Sequence, residues 1–337
     1  MQKNNVGKKI LNKLTGSRET SLLIVLILLC IFIQSRNSTF LMASTITDML
    51  KNYSTTMILA VGMMCVLLIA GIDISIGSTL AFAGMCSALL LRDGVYTSTL
   101  VGFLISIAIG IACGLLIGLI IVKGKVYPII ATLGFMNIFR GATYLIANNQ
   151  WVSAYQIPDT FKEFAQSSSL SFGLINNLIL IMIVCYIIFF IVMKWTRIGR
   201  RIYAVGSNPE AARISGIRIE LIQIMVYTIM GCLAGLAGAM WVSVYGSAQG
   251  DMATGIEMDA IAACVLGGVS LNGGQGSVLG ALLGALTIAI IDKALPLIGV
   301  SQFWQTAIKG FIILVAIIVN VLTQRVMKKN VLARREI

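Results

Sequence analysis

Seven polar or charged residues stand in or beside long apolar runs, and they limit the chemistry open to this chain: Asp73, Asn137, Arg140, Asp259, Asn272, Gln305 and Lys309. A carboxylate at mid-membrane costs on the order of 3 kcal/mol by insertion scales, so it marks a polar pathway or a tight local partner. For Asp73 both readings stand: it lines a pathway, or it caps the helix that follows through Asp73–Ser75. Asp259 is expected near the outer mouth of a pathway. The amides Asn137 and Gln305 can bond a polar solute or a neighbouring helix, and Arg140 and Lys309 can line a cavity or snorkel along their spans. These residues suit the handling of a polar solute and not catalysis. The chain has no histidine, which removes most metal sites and most general acid–base chemistry. It has no phosphate-binding G-x-x-x-x-G-K-[ST] loop, Cys/His cluster or nucleophile elbow, so no enzyme activity, metal or cofactor is expected.

The elements that must position these residues are membrane helices. The chain of 337 residues is 58% hydrophobic and 11% charged, with a mean hydropathy of +0.94, values of a polytopic all-α membrane protein. Apolar runs near 21–34, 54–72, 77–91, 99–122, 128–147, 174–194, 219–245, 258–271, 278–295 and 304–324 predict about ten spans, some broken or short. Residues 40–52 are too polar to span and are expected to form an interfacial helix leading into the second span. The expected division is a tail at 1–20, a membrane domain at 21–325 and a second tail at 326–337.

The formal charge of +12 does not point to nucleic acid, because the basic residues cluster beside apolar runs. Lys3, Lys8, Lys9, Lys13 and Arg18 precede the first run. Lys123 and Lys125 share one loop, and Lys194, Arg197, Arg200, Arg201, Arg213 and Arg218 another. Arg325, Lys328, Lys329, Arg334 and Arg335 close the chain. Alternating spans from a cytoplasmic start puts every one of these groups inside, facing anionic membrane lipid, with both termini cytoplasmic. Loops 148–173 and 246–257 then face outward as docking surfaces. The basic start and first apolar run lack a small-residue cleavage site, so an uncleaved first span is expected. The seven cysteines form no CxxC pair, and six of them (Cys30, Cys65, Cys113, Cys185, Cys232 and Cys264) read as small apolar packing residues.

Glycines recur four or so residues apart in Gly110, Gly114 and Gly118 and in Gly231, Gly235 and Gly238, which predicts close helix crossings. Two segments break the apolar pattern, Gly71–Gly77 and Gly267–Gly276. They align on Cys65-Val66-Leu67 with Cys264-Val265-Leu266, and Asp73 then matches Asn272. Irregular backbone at membrane depth survives only inside protein or along a watery cavity, and paired breaks in two halves point to a central pathway. Chance matching of common membrane residues is the competing reading.

Residues 208–216 predict a separately capped short helix. Asn208 is the N-cap, Pro209 the first helical residue, Glu210 complements the dipole, and Gly216 closes the helix in the left-handed region. Two turns are unstable alone, so a partner is expected to hold this helix, with Ala211 and Ala212 allowing close approach and Glu210 and Arg213 pairing with it.

The chain resembles the permease subunits of bacterial ABC importers for ribose, galactose, xylose and related sugars. The resemblance rests on Ala70–Gly77, Ala131-Thr132-Leu133-Gly134, Thr196–Ile217, Asp259–Gly280 and Phe303–Gly310, and it covers nearly the whole chain. Ile74 and Ile76 replace the more usual Leu and Val, and Gln275 stands where a basic residue is frequent. The resemblance implies an inner-membrane permease, paired with a second permease subunit. It implies a separate cytoplasmic ATPase docked on Glu210–Gly216 and an external sugar-binding protein. The same family serves autoinducer-2 and small polyols. An ion-coupled carrier using Asp73 or Asp259, and a passive channel, are the rival classes, and neither needs a capped docking helix.

Overall fold

The structure is a computed structural model that describes residues 18–171, 173–301, 304–311, 314, 315 and 318. The predicted N-terminal tail up to residue 17 and the C-terminal tail 326–337 lie outside the described residues. Twelve α-helices order the described part: α1 Arg18–Arg36, α2 Ala43–Leu68, α3 Ile76–Arg92, α4 Thr99–Lys123, α5 Pro128–Ile146 and α6 Asp159–Gln166. There follow α7 Asn177–Trp195, α8 Arg197–Ser207, α9 Pro209–Ile214, α10 Ile219–Tyr245, α11 Ile256–Leu266 and α12 Val278–Leu297. Among the described residues the only β pairing is an isolated bridge, Val152–Ala248. Helices α2, α4, α5, α7, α10 and α12 are long and apolar enough to cross a membrane, as expected of a multi-pass protein.

All ten apolar runs carry helix, but not all at spanning length. The third run is the 17-residue α3, and the eighth is the 11-residue α11, which rises only about 16 Å. The tenth is helical over 304–311, and apart from 314, 315 and 318 its remainder lies outside the described residues. Residues 43–52 are not a separate interfacial helix. They are the first turns of the 26-residue α2, which is uninterrupted because no Gly or Pro falls before Gly62. The polar residues there find partners instead: Lys51 pairs with Asp48 at 3.4 Å and donates to Gln166 Oε1 at 2.9 Å.

Helix α2 is apolar on every side from Met57 to Leu68, and each hydrophobic side chain there is at most 1% exposed, which requires neighbours all round. Helices α7, α10, α11 and α12 supply them. Tyr186 of α7 donates to Met57 O at 2.8 Å, and Cys264 of α11 donates to Ala60 O at 3.1 Å. The two predicted glycine triplets meet each other. A Cβ on Gly110 would fall on the Gly231 carbonyl and one on Gly114 on the Tyr227 carbonyl, so α4 and α10 cross in backbone contact. Ser106 locks the crossing by donating to Gly235 O at 2.6 Å. On its other side α10 meets α3, where a Cβ on Gly238 would reach Leu80 O at 2.6 Å.

Gly231→Ala and Gly141→Ala should therefore have opposite effects. The first forces the α4–α10 crossing apart, an overpacking cost of about 1–3 kcal/mol. Nothing lies within 4 Å of a Cβ on Gly141, so that change keeps only the helix-propensity gain of up to about 1 kcal/mol. Thermal denaturation of the detergent-solubilised protein should fall by several degrees for the first variant and hold or rise for the second. Equal losses would contradict the crossing.

Candidate functional site

At the end of the bundle that carries α8 and α9, both broken segments gather around the last turn of α2. Helix α2 and helix α11 stop the same way. Ala70 N donates to Leu67 O and Gly71 N to Val66 O, while Gly268 N donates to Val265 O and Val269 N to Cys264 O. Both are paired C-terminal closures around a left-handed residue, Ala70 at φ 57° and Gly268 at φ 81°. The re-entries differ. Gly77 and Ser78 lie inside α3, whereas Ser277 caps α12 by accepting from Gly280 N at 3.0 Å. The duplication is thus real in the helix endings and is lost a few residues later.

The two breaks touch. Leu68 O accepts from Gly274 N at 2.9 Å, and Tyr203 of α8 donates to Gly276 O at 2.8 Å. Gly206 of α8 lies against Leu68 so closely that any Cβ would overlap its carbonyl, and only glycine fits. Thr132 of α5 reaches the first break by donating to Ile72 O at 3.3 Å. Asp73 is 2% exposed, and its Oδ1 accepts from Ser75 N at 2.9 Å and Ser75 Oγ at 2.6 Å. It thus organises the start of α3, the geometry of the capping reading. The buried Tyr227 hydroxyl has no hydrogen-bond partner among the described residues. Asn272 is exposed at the surface of the second break.

The short helix follows α8 directly and has the predicted ends. Asn208 Oδ1 accepts from Ala211 N at 3.0 Å, Gly216 N donates to Arg213 O, Ile217 N donates to Ala212 O, and Gly216 has φ 78°. Its faces differ from expectation in one respect. Ala212 is buried against this chain's own helices, while Ala211 is exposed and Ile214 is 89% exposed. Arg213 pairs with Glu220 at 3.3 Å, both exposed.

The opposite end, which carries α6, holds a cavity of about 390 Å³, within the usual range for small-molecule sites of about 300–1,000 Å³. Asp259 lines it. Lys309 bridges Asp259 at 3.1 Å and Asp292 at 2.9 Å, and the Tyr53 hydroxyl donates to Asp292. Asn52 and Thr56 add polar groups, and Trp241 and Tyr245 form an aromatic wall with centroids 4.7 Å apart. Two carboxylates against one ammonium leave a net negative charge with acceptors to spare. Asp292 was open to the same rule that singled out Asp73, an acid inside an apolar run. Trp241 and Tyr245 sit in a helix whose aromatics carry no distinguishing spacing.

Arg140 does not line this cavity. It donates to Gly250 O and Met252 O, each at 2.8 Å, and so pins the loop whose Ala253 and Thr254 form the cavity rim. Gln305 donates to Val300 O at 2.8 Å, a local loop bond. Asn137 donates to Leu133 O at 3.0 Å on an open face of α5. Loops 148–173 and 246–257 are joined by the Val152–Ala248 bridge, and Trp151 and Tyr155 are exposed beside it. Asp159 at the start of α6 bonds Lys162 at 2.8 Å, which holds its carboxyl below the ordinary range.

Removing Lys309 would leave Asp259 and Asp292 facing each other uncompensated, a loss of about 3 kcal/mol for a pair at this burial. Lys309→Met is expected to lower membrane abundance and thermal stability, Lys309→Arg to preserve them, and Lys309→Met with Asp259→Asn and Asp292→Asn to recover them. Full stability of Lys309→Met alone would contradict the bridge.

A family model described as branched-chain amino acid transport system / permease component matches residues 45–317. The chain is similar to the ribose import permease protein RbsC of Escherichia coli (strain K12), 37% identical over 93% of this chain and 97% of that protein. It is equally similar, at 37%, to the ribose import permease protein RbsC of Bacillus subtilis (strain 168), over 88% of this chain and 90% of that protein. The autoinducer 2 import system permease protein LsrC of Salmonella typhi is 32% identical over 90% of this chain and 86% of its own length. No solved structure gives a significant match. With most of its length matched by that model and a helical membrane fold, the chain belongs to this family of transport-system permease components and is a multi-pass permease subunit of the ABC importer type.

Proposed function

We propose that this permease carries a monosaccharide of the ribose kind across the bacterial inner membrane, delivered by an external binding protein and driven by a separate ATPase chain. The observation that carries the substrate class is the cavity around Asp259. Its aromatic wall of Trp241 and Tyr245 suits the apolar face of a sugar ring. Its carboxylates suit hydroxyl donors, each charged hydrogen bond contributing roughly 1.5–3 kcal/mol. The similarity to ribose import permeases supports the same class. The similarity to an autoinducer 2 permease favours a second reading, a small polyol-like signal in the same cavity.

In this reading α8 and α9 face the cytoplasm, in keeping with Lys194, Arg197, Arg200 and Arg201 beside them, and both termini do the same. The α6 end faces outward, and Trp151 and Tyr155 receive the binding protein. A second permease copy lies along α5, only 22% of whose apolar window is buried in this chain and whose exposed Asn137 would be poorly placed against lipid. The membrane domain 21–325 carries these surfaces, and the ATPase groove receives Asn208–Gly216 with Ile214, Glu210 and Ala211 outermost. Asp73 and Asn272 act in the pathway from within the two breaks, and Gln305 at its outer rim.

Reconstituted uptake of labelled ribose, with and without ATPase, binding protein and ATP, tests the reading. Accumulation is expected only with all components. Uptake down a gradient without ATPase would indicate a channel, and uptake driven by an ion gradient a secondary carrier. Within this assay Ile214→Asp and Gly216→Val should keep normal membrane abundance while losing ATPase co-purification and at least tenfold of uptake. The first puts a charge on the outermost apolar contact. The second strains a left-handed residue by about 1–2 kcal/mol. Normal uptake by both would mean that α9 is not where the ATPase acts.

A further inference from the structure

Between α7 and α12 runs a groove of about 480 Å³, walled by Met182, Tyr186 and Phe190 on one side and Leu282 and Leu286 on the other, with Leu50 of α2 at its floor. The Tyr186 hydroxyl is turned inward to Met57 O, so the wall presents only its ring. At the basic end of the bundle this groove continues into a second cavity of about 270 Å³. Phe190, Val278 and Leu279 are shared between the two, and the second adds Glu19, Lys194, Tyr203 and Ser277.

The groove is apolar from Met182 to Phe190 and opens into the polar cavity at one end, and from Met182 to Lys194 the two cover thirteen residues of α7, a rise of about 18 Å. One leaflet of a hydrocarbon core of about 30 Å is of that depth. The polar end holds one charge of each sign. Lys194 Nζ lies 5.1 Å from the Phe190 ring centroid and 5.5 Å from that of Trp195, and it forms no ion pair among the described residues. Glu19 accepts from Ser277 Oγ at 2.9 Å and likewise has no cationic partner there. Among the described residues each charge lacks its opposite. An anionic headgroup would satisfy Lys194 and be repelled by Glu19, whereas a quaternary ammonium cannot donate a hydrogen bond to a carboxylate.

We propose that this cleft holds one phospholipid with a primary-ammonium headgroup, of the phosphatidylethanolamine kind. Its acyl chain fills the groove, its phosphate meets Lys194 and its ammonium meets Glu19. The lipid would tie α1, α7 and α12 together beside α8, and the site is independent of the transported substrate.

Native mass spectrometry of the full chain, purified from nanodiscs of equal dioleoyl phosphatidylethanolamine, phosphatidylglycerol and phosphatidylcholine, tests the proposal. One phosphatidylethanolamine per chain should be retained at least fivefold over either other lipid. Lys194→Ala and Glu19→Gln should each cut that retention by about tenfold. Leu279→Trp, at a half-exposed position where both cavities join, should abolish it by filling the groove while leaving the thermal profile of the delipidated protein in detergent unchanged. Equal retention of the three lipids, preference for phosphatidylglycerol, or retention unaffected by all three substitutions would overturn the proposal. So would a second copy of the chain that protects position 279 from labelling.

Discussion

One buried backbone carbonyl, that of Leu68, ties the irregular segments of this fold together. Helix α2 ends there inside protein, and a carbonyl left unpaired without water costs several kcal/mol. The solution is to bring the second break to the first, so that Gly274 N donates to Leu68 O. That contact demands glycines. Gly206 of α8 must lack a side chain for the helix to lie across Leu68, and Gly273 and Gly274 adopt φ 82° and 71° to present their amides. The irregular segments exist because they satisfy one another.

The consequence is mechanical. The break after α2, the break after α11 and helix α8 form one packed body, and α9 leaves that body after a single capping residue, Asn208. From it α2 and α11 run to the far end of the bundle, where α11 contributes Asp259 and the early turns of α2 contribute Asn52, Tyr53 and Thr56 to the cavity. A displacement at α9 therefore has a rigid route to the cavity walls. Lys309, bridging α11 and α12 through Asp259 and Asp292, holds the other end of that route together.

Helix positions, the caps at Asn208 and Gly216, and the glycine crossings were legible in the sequence because each depends on local residue types and period. The continuity of α2 through residues 43–52 was not, since its polar turns are stabilised by Gln166, more than a hundred residues away. The burial of Asp73 and its bonds to Ser75 were not legible, since no spacing encodes burial. Ala212 was expected to face a partner and instead faces inward, because in a six-residue helix the packing of α10 and α8 sets which side is open. The cavity residues were legible one at a time, as Asp259 and Lys309, but their meeting with Asp292 and Trp241 depends on tertiary contact among four helices.

The most direct measurement is the distance between spin labels at positions 214 and 272, and between 214 and 155, in the reconstituted complex before and after ATP-driven closure. If α9, α8 and the two breaks move as one body, the 214–272 distribution stays within its starting width while the 214–155 distribution shifts. A shift in 214–272 with 214–155 unchanged would contradict it, because α9 would then be moving against the breaks and not with them.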